Sequence, residues 1–80
     1  MRLDKFLKVS RLIKRRSVAN EACDTGRISV NDKVCKASYE VKVGDIIQMR
    51  FGEKLIKVRV LAVAEHVSKN DSSGLYEALN

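Results

Sequence analysis

The spacing of apolar residues changes near Gly26, and that change divides the chain into a helical part and a stranded part. Before it, Leu3, Phe6, Leu7 and Ile13 fall on one side of a helix at about 100° per residue, with Asp4, Lys8, Arg11 and Arg15 on the other. Leu12 lies off that stripe, on the charged side. The spacing therefore predicts a break near Ser10–Leu12, with Lys14, Arg15 and Arg16 in a loop that leads into a second helix. Ser17 is the expected N-cap of that helix, because its hydroxyl can accept from an exposed backbone N–H. Val18, Ala22 and Cys23 supply the apolar face, and Gly26 stops the helix by entering the left-handed conformation without steric cost.

After Gly26 the period is two. Ile28 and Val30 alternate with Arg27 and Ser29, Asn31-Asp32 offers a tight turn, and Val34 begins a return strand. Glycine at the second turn position is the cheaper choice, but aspartate tolerates positive φ. Val41 and Val43 precede a second turn at Gly44-Asp45. Ile46, Ile47, Met49 and Phe51 then form a strand and Gly52-Glu53 turns it. Leu55, Ile56, Val58, Val60 and Val63 make the last strand, with His66 near its end. The order predicts an α+β domain over 1–67, an N-terminal helix-loop-helix packed on a small curled antiparallel sheet. Residues 68–80 are polar and turn-rich and read as a flexible C-terminal tail, in which Leu75, Tyr76 and Leu79 form one weakly docked helical turn.

Eighty residues make one domain with a thin core, since a chain of this size buries only about 60% of its unfolded surface. A binding face is easier to build at this length than a walled catalytic cleft. Cys23 and Cys35 form no CxxC, and His66 is the sole histidine. Two thiols and one imidazole fall short of the usual ligand set for zinc, so neither a metal site nor a cofactor is expected. Both cysteines are expected reduced, Cys23 on an apolar helix face and Cys35 on a strand. No apolar run approaches a membrane span, and the N-terminus alternates charge and apolar residues too closely for an export signal. The expected compartment is the cytoplasm.

Charge supplies the functional signal. Arg2, Lys5, Lys8, Arg11, Lys14, Arg15 and Arg16 are opposed in the first sixteen residues only by Asp4, which accounts for the whole net charge of +6. From Ser17 onward, nine bases meet nine acids. A cationic end on a neutral body calls for a polyanionic partner: RNA, DNA or an acidic membrane. Arginines at a helix joint match phosphate oxygens, and the capped start of the second helix adds backbone N–H groups to the same place. RNA is preferred over DNA because no recognition helix suited to the major groove stands out. The aromatic residues Phe6, Tyr39, Phe51 and Tyr76 are too scattered to form a stacking platform. A membrane contact would need large apolar residues that the core requires.

Three separated motifs, RLDKFL at 2–7, RRSVANEACDTGRISVN at 15–31 and VKVGDII at 41–47, resemble the RNA-binding domain family named for ribosomal small-subunit protein four, the S-four domain. The resemblance covers roughly residues 1 to 50 and departs from the family pattern at Asp32, where glycine is usual, and at Ala37, where proline is common. Short free-standing members of this kind are similar to the small factors of bacterial ribosome-associated quality control. That resemblance implies binding to an obstructed large ribosomal subunit, with contacts to 23S rRNA and to peptidyl-tRNA in the P site. It also implies support of alanine tailing by a partner quality-control protein. A second similar group is the heat-shock S-four protein that recognises obstructed large subunits.

Carried onto this chain, the resemblance places phosphate contacts at Arg2, Lys5, Arg11, Arg15 and Arg16, with Lys8 and Lys14 secondary. It gives Asp4 the orientation of a neighbouring cation. Asn31, Lys33 and Lys36 in the hairpin are weaker contributors. The chain is expected to be a monomer off the ribosome, with no membrane partner. Two rivals stand beside this reading. An enzyme would need a nucleophile and base set around His66, which the sequence does not supply. A protein-interaction module would use the sheet or the tail as its working surface.

Overall fold

Helix α1 spans Leu3–Val9 and helix α2 spans Arg16–Asp24. Among the described residues five strands follow: β1 Ile28–Val30, β2 Lys33–Val34, β3 Ile46–Phe51, β4 Lys54–Val60 and β5 Tyr76–Ala78. The structure is a computed structural model, and it describes residues 1–64 and 72–79. The strands form one antiparallel sheet in the order β2-β1-β3-β4-β5. The helices cover one face of it, so the α+β architecture read from the order of elements is the one observed.

One face of the sheet supplies Ile28, Val30, Ile47, Met49, Val58 and Val60, all buried, and the helices supply Leu3, Phe6, Leu7, Ala19, Ala22 and Cys23. Strand alternation explains this set, because side chains at i and i+2 share a face. The joint between the helices is set by backbone geometry. Arg11 has φ +63°, and its N–H donates to the Lys8 carbonyl at 3.1 Å, the bond a left-handed C-terminal cap makes. The Ile13 N–H then donates to the Leu7 carbonyl at 3.0 Å, which returns Ile13 to the core. At the other end of α1 the N-cap residue, Arg2, makes no side-chain cap bond. Backbone carbonyls cap the turn instead: Leu3 N–H reaches Tyr39 O at 2.8 Å and Asp4 N–H reaches Ala37 O at 3.2 Å.

The β1–β2 hairpin turns on Asn31 and Asp32, both at positive φ. Its register is fixed from outside the turn. Asn31 donates through its amide to Asp45 at 3.1 Å and accepts from the Ile46 N–H at 3.0 Å. Asp45 also accepts from the Tyr39 hydroxyl at 2.9 Å and from the Lys42 N–H at 2.9 Å. Burial and this bond to a carboxylate raise the Tyr39 phenol above its ordinary pKa.

Several expectations need correction. Helix α2 begins one residue before Ser17, with Arg15 in extended conformation at the N-cap position and no side-chain cap bond. Ser17 is an exposed first-turn residue, not the cap. Val18 is 45% exposed, and Ala19 takes the inward position in its place, one helical spacing before Ala22 and Cys23. Asp4 is buried rather than solvent-facing. Cys35 lies just beyond β2, and Val63 is an exposed residue outside any strand. The C-terminal segment is not a detached tail. Ser72–Leu75 form a 3₁₀ turn, Leu75 is buried, and Tyr76–Ala78 pair with Val58–Val60. The edge of β4 offered unpaired backbone groups, and a short strand with one buried leucine meets that need. His66 and residues 68–71 fall outside the described residues.

Candidate nucleic-acid interface

The site is built around one buried carboxylate. Asp4 is 2% exposed, and the Lys5 N–H donates to its Oδ1 at 2.8 Å, as suits an acid in the first turn of a helix. Arg2, just ahead of α1, donates through Nε to Oδ1 at 3.2 Å and through Nη2 to Oδ2 at 3.4 Å. From α2, Asn20 donates to Oδ2 at 3.2 Å, and the Nε of Arg16 lies 3.4 Å from the same oxygen. Burial alone pushes the Asp4 carboxyl up. The bonds from Asn20, Arg2, Arg16 and the Lys5 backbone outweigh it and hold the carboxyl below its ordinary pKa.

Two arginines, one just ahead of α1 and one at the start of α2, thus meet at one acid. Each keeps about half of its side chain exposed, 49% in both cases, so the guanidinium edges turned from Asp4 face solvent. A guanidinium carries five N–H donors, and a carboxylate shared between two of them neutralises only one charge. The arrangement positions cationic donors without cancelling them.

The remaining bases lie on α1 and in the loop between the helices. Lys5 is half-buried, and Lys8 is exposed in the last turn of α1. Arg11, Lys14 and Arg15 are exposed in the loop between the helices. Among the described residues no carboxylate forms an ion pair with Lys8, Arg11, Lys14 or Arg15. The start of α2 has no side-chain cap, so its N-terminal dipole adds to the same region. Of the hairpin residues, Lys33 and Lys36 are exposed. The Asn31 amide is taken up by Asp45 and Ile46 and serves the fold.

Asn20 is the site residue that sequence reasoning missed. A signal for it exists, since Arg16 and Asn20 are four apart and share one face of α2. Cys23 lies nearby and is buried and unpaired in a disulfide. Burial first, then the charges of Asp4 and Asp24 and the neighbouring Cys35, push its thiol up to about 11, which leaves it a packing group at neutral pH. Among the described residues no helix is long and apolar enough to cross a membrane.

The S4 domain model matches residues 1–47. A protein of Halalkalibacterium halodurans named RQC P-site tRNA stabilizing factor is 58% identical over 77 residues, covering 96% of this chain and 88% of that one. A protein of the same name from Streptococcus pneumoniae is 51% identical over 80 residues, covering 100% of this chain and 91% of that one. Among solved structures, heat shock protein 15 of Vibrio cholerae superposes with a TM-score of 0.90 at 26% identity, covering 98% of this chain and 80% of that one. The RLD and RRSVAN motifs that build the Asp4 cluster both fall inside the matched span, and this chain belongs to the S4 domain family.

Proposed function

We propose that this protein is a non-catalytic RNA-binding factor of bacterial ribosome-associated quality control, working in the cytoplasm. On this reading the helix joint grips 23S rRNA and the P-site tRNA of an obstructed large ribosomal subunit. Holding the tRNA there supports C-terminal alanine tailing of the stalled chain by a partner protein. The observation that carries the reading is the pair of half-exposed arginines fixed on Asp4, beside a loop and helix end whose Lys8, Arg11, Lys14 and Arg15 are exposed and have no carboxylate partner among the described residues. Relatives more than half identical over nearly the full chain, named for P-site tRNA stabilisation, supply the ribosomal context.

The chemistry needed is charge neutralisation and shape, which requires no nucleophile. Arg2, Lys5, Arg11, Arg15 and Arg16 make the phosphate contacts, with Lys8 and Lys14 at the margin. Asp4 and Asn20 hold two of the arginines in place. A second reading, a recycling factor of the heat-shock type, draws on the superposition with heat shock protein 15. The higher identity to the tRNA-stabilising factors favours the first.

Pull-down of the tagged full chain from bacterial lysate, with sequencing of the bound RNA, tests the proposal. Large-subunit rRNA recovered together with tRNA is the expected result. Recovery of a single small RNA, or of no RNA, overturns it.

A further inference from the structure

A second cationic surface lies on the side of the sheet away from the helices. The positions of β1, β3 and β4 that alternate with the core residues include Ser29, Gln48, Arg50, Lys57 and Arg59. Arg27 joins them: the Arg50 N–H donates to the Arg27 carbonyl at 2.9 Å, so the two arginines are cross-strand neighbours. Although bases and acids balance after Ser17, the fold sorts them. Glu21 and Asp24 go to α2, Glu40 pairs with the amino terminus, Asp45 is buried in the hairpin network and Glu53 sits in the β3–β4 turn. Among the described residues, this face keeps only Glu77, 3.2 Å from Arg59, with Asp32 at its rim.

Arg27 and Arg50 are the telling pair. Both are exposed, and among the described residues neither has a carboxylate in ion-pair range. Like charges opposite one another weaken a sheet. A polyanion laid across the strands relieves that repulsion. The surface is also shaped for one. A hollow of about 430 Å³ is lined by Arg27, Ser29, Val34, Gln48, Arg50 and Leu55. A second, of about 380 Å³, adjoins it at Gln48 and carries Lys57 and Arg59.

We infer that this outer sheet face is a second RNA-backbone site, so that the chain holds RNA across the strands as well as at the helix joint. Guanidinium forks pair with phosphate oxygens, and the Gln48 amide and Ser29 hydroxyl suit phosphate or ribose hydroxyls. Among the described residues the face presents no aromatic ring outward. The contact is therefore with backbone rather than stacked bases, independent of sequence and sensitive to salt. The inference goes beyond the helix-joint reading and does not require it.

The test is an NMR titration of the isotope-labelled full chain with a short RNA hairpin. Amide shifts at Ser29, Gln48 and Lys57, in addition to those at 11–16, are expected, with two hairpins bound per chain. Arg27→Gln/Arg50→Gln removes two exposed charges without touching the core. It abolishes the sheet-face shifts, reduces the stoichiometry to one, and makes the log–log salt slope shallower by about 1.4 to 1.8. Arg15→Ala/Arg16→Ala retains the sheet-face shifts, which separates this site from the joint. Shifts confined to the joint, or an unchanged stoichiometry in the Arg27→Gln/Arg50→Gln protein, overturn the inference. So do sheet-face shifts that poly-glutamate produces and RNA does not, because they assign the surface to an acidic protein.

Discussion

The Nε of Arg16, at the start of α2, lies 3.4 Å from the buried carboxylate of Asp4 in α1. This contact ties the folding of the helix pair to the display of cationic groups. The acid is held from both helices, by Arg2 and the Lys5 backbone on one side and by Asn20 and Arg16 on the other. Removing a carboxylate from a basic surface normally strengthens its grip on a polyanion. Here it frees the arginines from their positions.

Asp4→Asn therefore separates net charge from geometry. The variant is more cationic than the native chain, yet its affinity for large-subunit rRNA falls, because Arg2 and Arg16 lose their common anchor. Stability drops by about 1–3 kcal/mol, the range for breaking charged hydrogen bonds to a buried group. The pH dependence follows from the lowered Asp4 pKa. Its contribution is present above the unfolded carboxyl pKa of about 4 and fades as pH falls through the lower folded value. Urea unfolding between neutral and acid pH checks this: the native curve loses stability as pH falls through that range, and the variant loses less.

Arg15 and Arg16 are adjacent but separate in their effects. Arg15 is exposed and has no carboxylate partner among the described residues. Arg15→Ala leaves stability within about 0.5 kcal/mol, as surface changes do, and weakens RNA binding. Its salt slope falls by about 0.7 to 0.9, the share of one phosphate contact. Arg16→Ala lowers both affinity and stability, since Asp4 loses a partner. Equal stability losses in the two variants contradict this division.

Much of the fold was legible because burial imposes periodicity. Leu3, Phe6 and Leu7 announce a helix, and Ile47, Met49, Val58 and Val60 announce strands, each set facing one core. The turn at Asn31-Asp32 was legible from its tolerance of positive φ. What escaped were features fixed by partners distant in sequence. Asp4 reads as a solvent-facing acid until Arg16 and Asn20 fold against it. Strand β5 has too little pattern of its own and exists because the edge of β4 accepts it. The basic joint was visible as a run of charge, whereas the outer-face cluster of Arg27, Arg50, Lys57 and Arg59 is dispersed along the chain and gathered only by strand register.

Asn31 illustrates the difference between a conspicuous polar residue and an RNA contact. Its amide bridges Asp45 and the Ile46 N–H. Asn31→Ala leaves a donor and an acceptor without partners and costs about 1–3 kcal/mol. RNA affinity measured well below the melting point changes less than twofold. A large affinity loss with native stability would move Asn31 into the interface.

Arg11 offers the cleanest separation of fold from binding, because its backbone and its side chain ask for different residues. At φ +63° a residue with a Cβ carries strain of about 1 kcal/mol, which glycine relieves at some entropic cost in the unfolded chain. Arg11→Gly is accordingly neutral or more stable by up to about 1 kcal/mol in urea unfolding. The same change removes an exposed guanidinium from the joint, so binding to large-subunit rRNA weakens and its salt slope drops by about 0.7 to 0.9. A variant that loses stability and keeps its RNA affinity would show instead that the guanidinium supports the turn, and Arg11 would leave the site.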